Sequence, residues 1–295
     1  MPGRKIFMTI LFAALTHKVT SQEKKMDMAP NAVDDQYIEC RDEMLKKVQG
    51  VLEKEQKDSP EDYNTWAESQ KCTQTIPGGV KEHTAALVFY GNKGHRFEKK
   101  FNNAVATLGA NFSVYESFQF KSLHFLLMDA MRLLKTGKCK TVFHGSEQKY
   151  TAQVGSEVRF GTFTSASDQM TAEKEKAISE SGTLFNITSC TAVNIEKYAC
   201  IPEWIEMLVS PAEVFKVVEV KVSGRVNEKH TEIVLTSSRN VSNHDCFLFP
   251  RSPTTSYPPT TAPTGASTQQ FSSSIYRLVT VSLVISLFTR TSLTK

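Results

Sequence analysis

Six cysteines, Cys40, Cys72, Cys139, Cys190, Cys200 and Cys246, are the residues whose number and placement speak most directly of chemistry. An even count in a secreted chain argues for disulfides, and spacing alone does not choose the pairing. No CxxC pair and no Cys/His cluster has the spacing of metal ligands, so no metal is expected. The seven histidines are scattered and nominate no triad. HExxH, GxSxG, GxGxxG and the Walker loop do not occur, which argues against a Rossmann nucleotide site and the common hydrolase centres. Asn111-Phe-Ser113, Asn186-Ile-Thr188 and Asn240-Val-Ser242 are acceptor sequons for N-glycosylation.

The elements that must hold these residues change texture at Gly137. From Asp35 to about Lys57, Tyr37, Met44, Leu45, Val48, Val51 and Leu52 recur at helical spacing. Ser59-Pro60 predicts the opening of a second helix, with Ser59 as N-cap. Helices over Lys81 to Tyr90 and His95 to Leu108 follow, then a long one over Ser113 to Leu134. Beyond Gly137, six short segments rich in Val, Phe, Ile and Thr read as strands: Lys140–His144, Glu157–Ser165, Leu184–Ser189, Glu213–Val222, Thr231–Thr236 and Asp245–Phe249. One helix, roughly Ser167 to Ser179, interrupts them. Helices first and strands later, without βαβ alternation or internal repeat, predict an α+β domain.

Both ends read as addresses. Residues 1–21 carry Arg4 and Lys5, an apolar run from Ile6 to Leu15, and small residues before a cut ahead of Gln22, as a secretory signal does. Residues 22–250 are the expected folded domain, and residues 251–265 form a Ser/Thr/Pro-rich stalk. Residues 266–295 end in an apolar run, Leu278 to Phe288, shorter than the roughly 20 residues of a spanning helix. Small residues, a polar spacer and a short apolar tail predict a GPI-attachment signal, with Gly265 as attachment residue. The formal charge of +4 belongs to these ends. Each end holds three basic residues and no acid, so the chain without them stands at −2. That excludes a broad cationic field for nucleic acid.

Five ordered segments say more: Val33-Asp-Asp-Gln-Tyr37 before Cys40, Phe118-Gln-Phe-Lys-Ser-Leu-His-Phe-Leu-Leu127, Val142-Phe-His-Gly145, Arg159-Phe-Gly-Thr-Phe-Thr-Ser-Ala-Ser167 and Glu206-Met-Leu-Val-Ser-Pro-Ala-Glu-Val-Phe215. Together they resemble the vertebrate ecto-ADP-ribosyltransferases from about residue 27 to 250, end signals included. The resemblance implies a mainly antiparallel β core with an NAD-binding cleft, NAD+ as substrate, and ADP-ribose transfer to arginine on surface or secreted proteins. It implies a GPI-anchored or secreted monomer on the outer face of the plasma membrane. Ser165-Ala-Ser167 matches the family's S-x-S turn and Glu206 the second glutamate of its E-x-E pair. Glu206 is then the catalytic acid, stabilising oxocarbenium charge on the ribose; Ser165 orients it, and His144, Gly145, Ser165 and Ser167 face the dinucleotide. The resemblance also implies disulfides Cys40–Cys246 and Cys139–Cys190, which leaves Cys72–Cys200 as the third.

Two positions depart from the pattern. His144 stands where the family has a permanently charged arginine, although Phe-His-Gly is similar to the first motif of the diphtheria-toxin and poly-ADP-ribose polymerase class. Trp204, on the acceptor side, stands where the first glutamate of E-x-E aligns the arginine nucleophile; an indole offers one N–H and a ring face. Glu203 lies one residue off, on the opposite face of a strand. The alternatives are NAD glycohydrolysis alone, or a catalytically inactive surface recognition glycoprotein.

Overall fold

Amphipathic spacing does produce a helical first half, but buried polar groups decide where two of the helices begin. The computed structural model describes residues 23–92, 94–198, 200, 207–225 and 228–249, all within one compact unit spanning residues 1–250. Helix α1 (Arg41–Asp58) buries Met44, Val48, Leu52 and Glu55 on one stripe, with Asp42 and Glu43 in the first turn, where the helix dipole favours acids. It begins six residues later than the spacing predicts. The Asp35 carboxylate accepts the Tyr37 N–H at 2.7 Å, and Tyr37 takes φ +54°, so the chain leaves helical geometry there.

Ser59-Pro60 opens turns instead of a helix, and only α2 (Trp66–Ser69) follows. Tyr63 and Trp66 are drawn into the core, Tyr63 donating to Glu55 at 2.8 Å, while Asp62 receives Lys100 Nζ at 2.6 Å. Next come α3 (Lys81–Asn92), buried from His83 to Tyr90, and α4 (His95–Thr107), which buries Phe97, Phe101 and Val105. The long helix expected from Ser113 is two: α5 (Phe112–Glu116) and α6 (Lys121–Leu134). Glu55 accounts for the break. Its buried carboxylate accepts the N–H groups of Lys121 (2.6 Å) and Ser122 (3.2 Å), donors at a helix start that have no intrahelical partner.

The β half contains β1 (Lys24–Lys25), β2 (Lys140–Ser146), β3 (Tyr150–Thr151), β4 (Glu157–Arg159), β5 (Thr164–Ala166), β6 (Thr183–Ser189), β7 (Val193–Asn194), β8 (Met207–Val209), β9 (Glu213–Ser223) and β10 (His230–Asn240), with α7 (Met170–Ser179) between β5 and β6. The main sheet runs β2-β6-β10-β9-β4, the second β5-β8-β7, and β1 pairs with β3. Pairs β6–β10 and β1–β3 are parallel and the rest antiparallel. Val142, Phe185, Ile187, Phe215, Ile233 and Leu235 fill the core between the strands.

Two strand expectations change. Glu157–Ser165 is interrupted at residues 160–163, where Gly161 takes φ +66° and its α-carbon lies close against Ala29. Asp245–Phe249 forms turns rather than a strand. Both edges of β10 are already taken by β6 and β9, and Asp34 accepts the N–H groups of Asn243 (2.9 Å) and His244 (3.2 Å). Disulfides join Cys40 to Cys246, Cys72 to Cys200 and Cys139 to Cys190, the pairs the resemblance implies. Cys40–Cys246 therefore ties the start of α1 to a turn. Cys139–Cys190 closes the ends of β2 and β6, whose register sets Lys140 opposite Ser189. Among the described residues no helix is long and apolar enough to cross a membrane.

Candidate active site

Three strands from different parts of the chain meet at one point. In β2, Phe143 exchanges both backbone hydrogen bonds with Ser167, at 2.7 and 2.9 Å. The next residue, His144, points its Nδ1 at the Ser165 carbonyl, 2.7 Å away. β5 pairs in turn with β8, Ser165 opposite Leu208 and Ala166 opposite Met207. His144, Ser165 and Ser167 are thus brought together beside the start of β8. Glu206, which precedes Met207 in sequence, lies outside the described residues, as do Glu203, Trp204 and Gly265.

A carbonyl can only accept, so Nδ1 of His144 carries the proton. Burial, with Lys176 adding to it, pushes the His144 pKa down to about 4 against the opposing pull of the Ser165 carbonyl. The ring is therefore neutral at pH 7, and Nε2 is left as a lone-pair acceptor. Phe185 stacks on it at 5.9 Å and Phe160 meets it edge-on at 6.1 Å, which fixes its plane. Gly145 lies tight under α7: its N–H donates to Glu173 Oε2 at 2.5 Å, and a β-carbon there would fall 1.9 Å from the Glu173 carbonyl oxygen. Ser167 Oγ accepts the Gln169 N–H at 2.9 Å, at the entry to α7.

His144, Phe160 and Ser165 line a cleft of about 420 Å³ together with Lys24, Lys25, Asn102 and Tyr150 among others, whereas Gly145 and Ser167 lie outside its lining. One of its supports, Asn102, lies in none of the ordered segments, and the other, Arg159, opens one without a role assigned to it there. Asn102 of α4 grips both backbone groups of Phe163, its Oδ1 accepting the N–H at 3.0 Å and its Nδ2 donating to the C=O at 2.9 Å. Arg159 is buried, and its guanidinium donates to Asp34 (2.6 Å), Met28 O (2.9 Å) and Ala29 O (2.7 Å). That pairing, with His244, holds the Asp34 carboxyl below its ordinary range although burial opposes it. The helical spacing that marks Asn102 as facing inward with Phe101 and Val105 was its only signal.

Two other buried histidines serve structure. His124 donates from Nε2 to Val33 O (2.9 Å) and accepts at Nδ1 from Tyr37 (2.9 Å), and burial pushes its pKa to about 4. His83 bonds Asp129 at 2.9 Å in a cluster that also takes Arg41 and Arg132. Of the sequon residues, Asn111 and Asn240 are exposed and Asn186 is half-buried in the middle of β6. Asn111 also caps α5 by accepting the Val114 N–H at 3.0 Å.

The model of the family described as NAD:arginine ADP-ribosyltransferase matches residues 26–243. The chain is 32% identical over 255 residues to T-cell ecto-ADP-ribosyltransferase 2 of Mus musculus, covering 82% of this chain and 84% of that protein. It is 30% identical to the GPI-linked NAD(P)(+)--arginine ADP-ribosyltransferase 1 of Mus musculus, covering 77% and 74%. A crystal structure of a mutant of the eukaryotic mono-ADP-ribosyltransferase ART2.2 in complex with NAD is similar with a TM-score of 0.63 and 29% identity, covering 76% of this chain and 98% of that one.

Proposed function

The chain belongs to the NAD:arginine ADP-ribosyltransferase family, and from that premise we propose that it transfers ADP-ribose from NAD+ to arginine side chains of proteins outside the cell. The observation that carries this reading is the meeting of β2, β5 and β8. It sets His144 against Ser165 and starts β8 one residue after Glu206. In the proposed reaction the nicotinamide–ribose bond breaks with its electrons leaving on nicotinamide, and an arginine guanidine nitrogen forms the new bond to the ribose carbon and releases one proton to solvent. The carboxylate of Glu206 stabilises the positive charge that grows on the ribose, and the Ser165 hydroxyl orients that carboxylate. His144, neutral and bare at Nε2, accepts a hydrogen bond from a hydroxyl of the dinucleotide where the family has a guanidinium. Gly145 and Ser167 hold the backbone on either side of the His144–Ser165 contact. NAD+ is the substrate, and no metal is required.

Trp204 favours a second outcome from the same site. Without the carboxylate that aligns a guanidine nitrogen, water competes for the ribose carbon and free ADP-ribose is released. Residues 1–21 and 266–295 are proposed as a secretory signal and a GPI-attachment propeptide, with Gly265 as the attachment residue and residues 251–265 as a stalk. That places residues 22–250, as a glycosylated monomer, at the outer face of the plasma membrane. The relatives named ecto- and GPI-linked support this placement.

The test is incubation of the protein with labelled NAD+, with and without an arginine analogue, against Glu206→Ala. Nicotinamide release by wild type that Glu206→Ala abolishes is expected. No release from wild type would leave a surface recognition protein as the reading.

A further inference from the structure

A dinucleotide brings two negative charges on its pyrophosphate, and the cleft must meet them. Neither cation that the site would first offer is available. His144 is neutral at pH 7, and all three donor nitrogens of Arg159 that the structure records bond Asp34, Met28 O and Ala29 O. What these bonds achieve is to fasten a strap. Arg159 also donates its backbone N–H to Asp27 O at 2.8 Å, and Met26 is buried in the core between the strands. Ahead of Met26, β1 is laid along β3 by Lys24 N–H to Lys149 O and Met26 N–H to Thr151 O, both 2.8 Å.

The strap delivers two side chains to the cleft. Lys24 and Lys25 both line it and both are exposed. Neither has an ion-pair partner among the described residues. Lys24 Nζ sits over the Tyr150 ring at 5.4 Å; Tyr150 meets Phe185 edge-on at 5.3 Å, and Phe185 is the ring stacked on His144. Lys24 is thus on the same wall as His144, and Lys25 lines the cleft beside it. The carboxylates that line the cleft are Glu98, on α4, and Asp27, whose Oδ1 already accepts the Ala29 N–H at 2.7 Å.

Resting on the NAD+ reading above, we propose that Lys24 and Lys25 of the β1 strap are the pyrophosphate-binding residues of this cleft, supplying the charge that position 144 lacks. Lysine suits the task as a mobile point charge at a wet cleft mouth, where a forked guanidinium is not needed. The energy of each contact is modest because both ammonium groups are exposed. The strap is also the part of the wall most easily lost, since β1 is only two residues long.

The experiment is calorimetric titration of the full-length protein with NAD+, ADP-ribose and adenosine, at two salt concentrations. Wild type is compared with Lys24→Gln/Lys25→Gln and Lys24→Arg/Lys25→Arg. The double glutamine variant should bind NAD+ and ADP-ribose about tenfold more weakly with a flatter salt dependence. Adenosine binding should be unchanged, and the arginine variant should stay within about twofold of wild type. Equal affinity and equal salt dependence in wild type and the glutamine variant would overturn the proposal and leave the NAD+ reading intact. An equal loss of adenosine binding would also overturn it, because the strap rather than its charge would then be the cause. Failure of wild type to bind NAD+ would remove both readings together.

Discussion

Asn102→Ala tests whether the path from fold to site runs through the grip on Phe163. Phe163 lies two residues before Ser165, whose carbonyl receives His144. Its ring is buried, stacked on Phe101 at 5.6 Å and edge-on to His124 at 5.3 Å. Removing the amide would strip the Phe163 N–H of its acceptor, while the C=O would keep the Tyr90 hydroxyl at 3.1 Å. A buried donor left unpaired costs about 1–3 kcal/mol, and the lost bond to the carbonyl adds about 1 kcal/mol. The sum, near 3 kcal/mol, corresponds to a fall in Tm of roughly 6–12 °C for a domain of this size. Loosening the segment that carries Ser165 should also lower kcat/KM for nicotinamide release by about tenfold or more, since misplacement by about 1 Å can cost roughly a hundredfold. Calorimetric melting and an NAD+ cleavage assay well below the Tm read the two effects separately. Unchanged Tm with unchanged kcat/KM would refute the grip. A lowered Tm with unchanged kcat/KM would confine Asn102 to stability.

Further outcomes follow from the buried polar groups. His124 and His144, both pushed to about 4, contribute stability that is complete above their ordinary value near 6.5 and is lost as pH falls toward 4. Asp35, pushed up to about 8 chiefly by burial, contributes in the opposite sense, its share being lost as pH rises from near 4 to 8. Tm should therefore peak near pH 6.5, and Asp35→Asn should flatten the alkaline decline; a Tm still rising from pH 6.5 to 8 in wild type would contradict this. Glu213 is wholly buried and accepts from Ser189, Thr191, Ser237 and the Cys190 N–H. Glu213→Ala should cost about 3–5 kcal/mol, read as a Tm loss or a collapse in secreted yield. Removing Cys72–Cys200 by paired serines should reduce nicotinamide release more than removing Cys139–Cys190, because Cys200 lies six residues before Glu206; the reverse order would sink that expectation. Trp204→Glu should raise arginine transfer relative to hydrolysis, measured as the ratio of modified arginine analogue to free ADP-ribose.

Patterned apolar residues made the helix-then-strand order and the position of most strands readable from sequence. What the pattern could not reveal were decisions taken by single polar side chains far away in the chain. Nothing local at residues 117–120 says that the helix must break there. The reason is Glu55, 66 positions before Lys121, which offers its carboxylate at that one height. The strand expected at Asp245–Phe249 has suitable residue types, yet β10 has no open edge to pair with. The site was legible only as a set of ordered segments: Ser165 and His144 are ordinary residues until the register brings a carbonyl to an imidazole. Asn102 has no motif at all, since its partners are the backbone groups of Phe163; Arg159 and Asp34 stand in two of the ordered segments, but nothing in either segment says that they pair.

The position of Arg159 ties these threads into one argument about charge. A guanidinium beside a dinucleotide cleft would ordinarily be assigned to phosphate. Here Asp34 holds it, and Asp34 in turn accepts from Asn243 and His244, next to the Cys40–Cys246 bridge. Moving Arg159 toward a ligand would strand a buried carboxylate and release the strap at Met28 and Ala29, a larger loss than one phosphate contact returns. The arginine nearest the cleft is thus structural because of what its partner also holds. The charge for the substrate then has to arrive from residues with no such obligations, and among the basic residues that line the cleft those are the two lysines of β1.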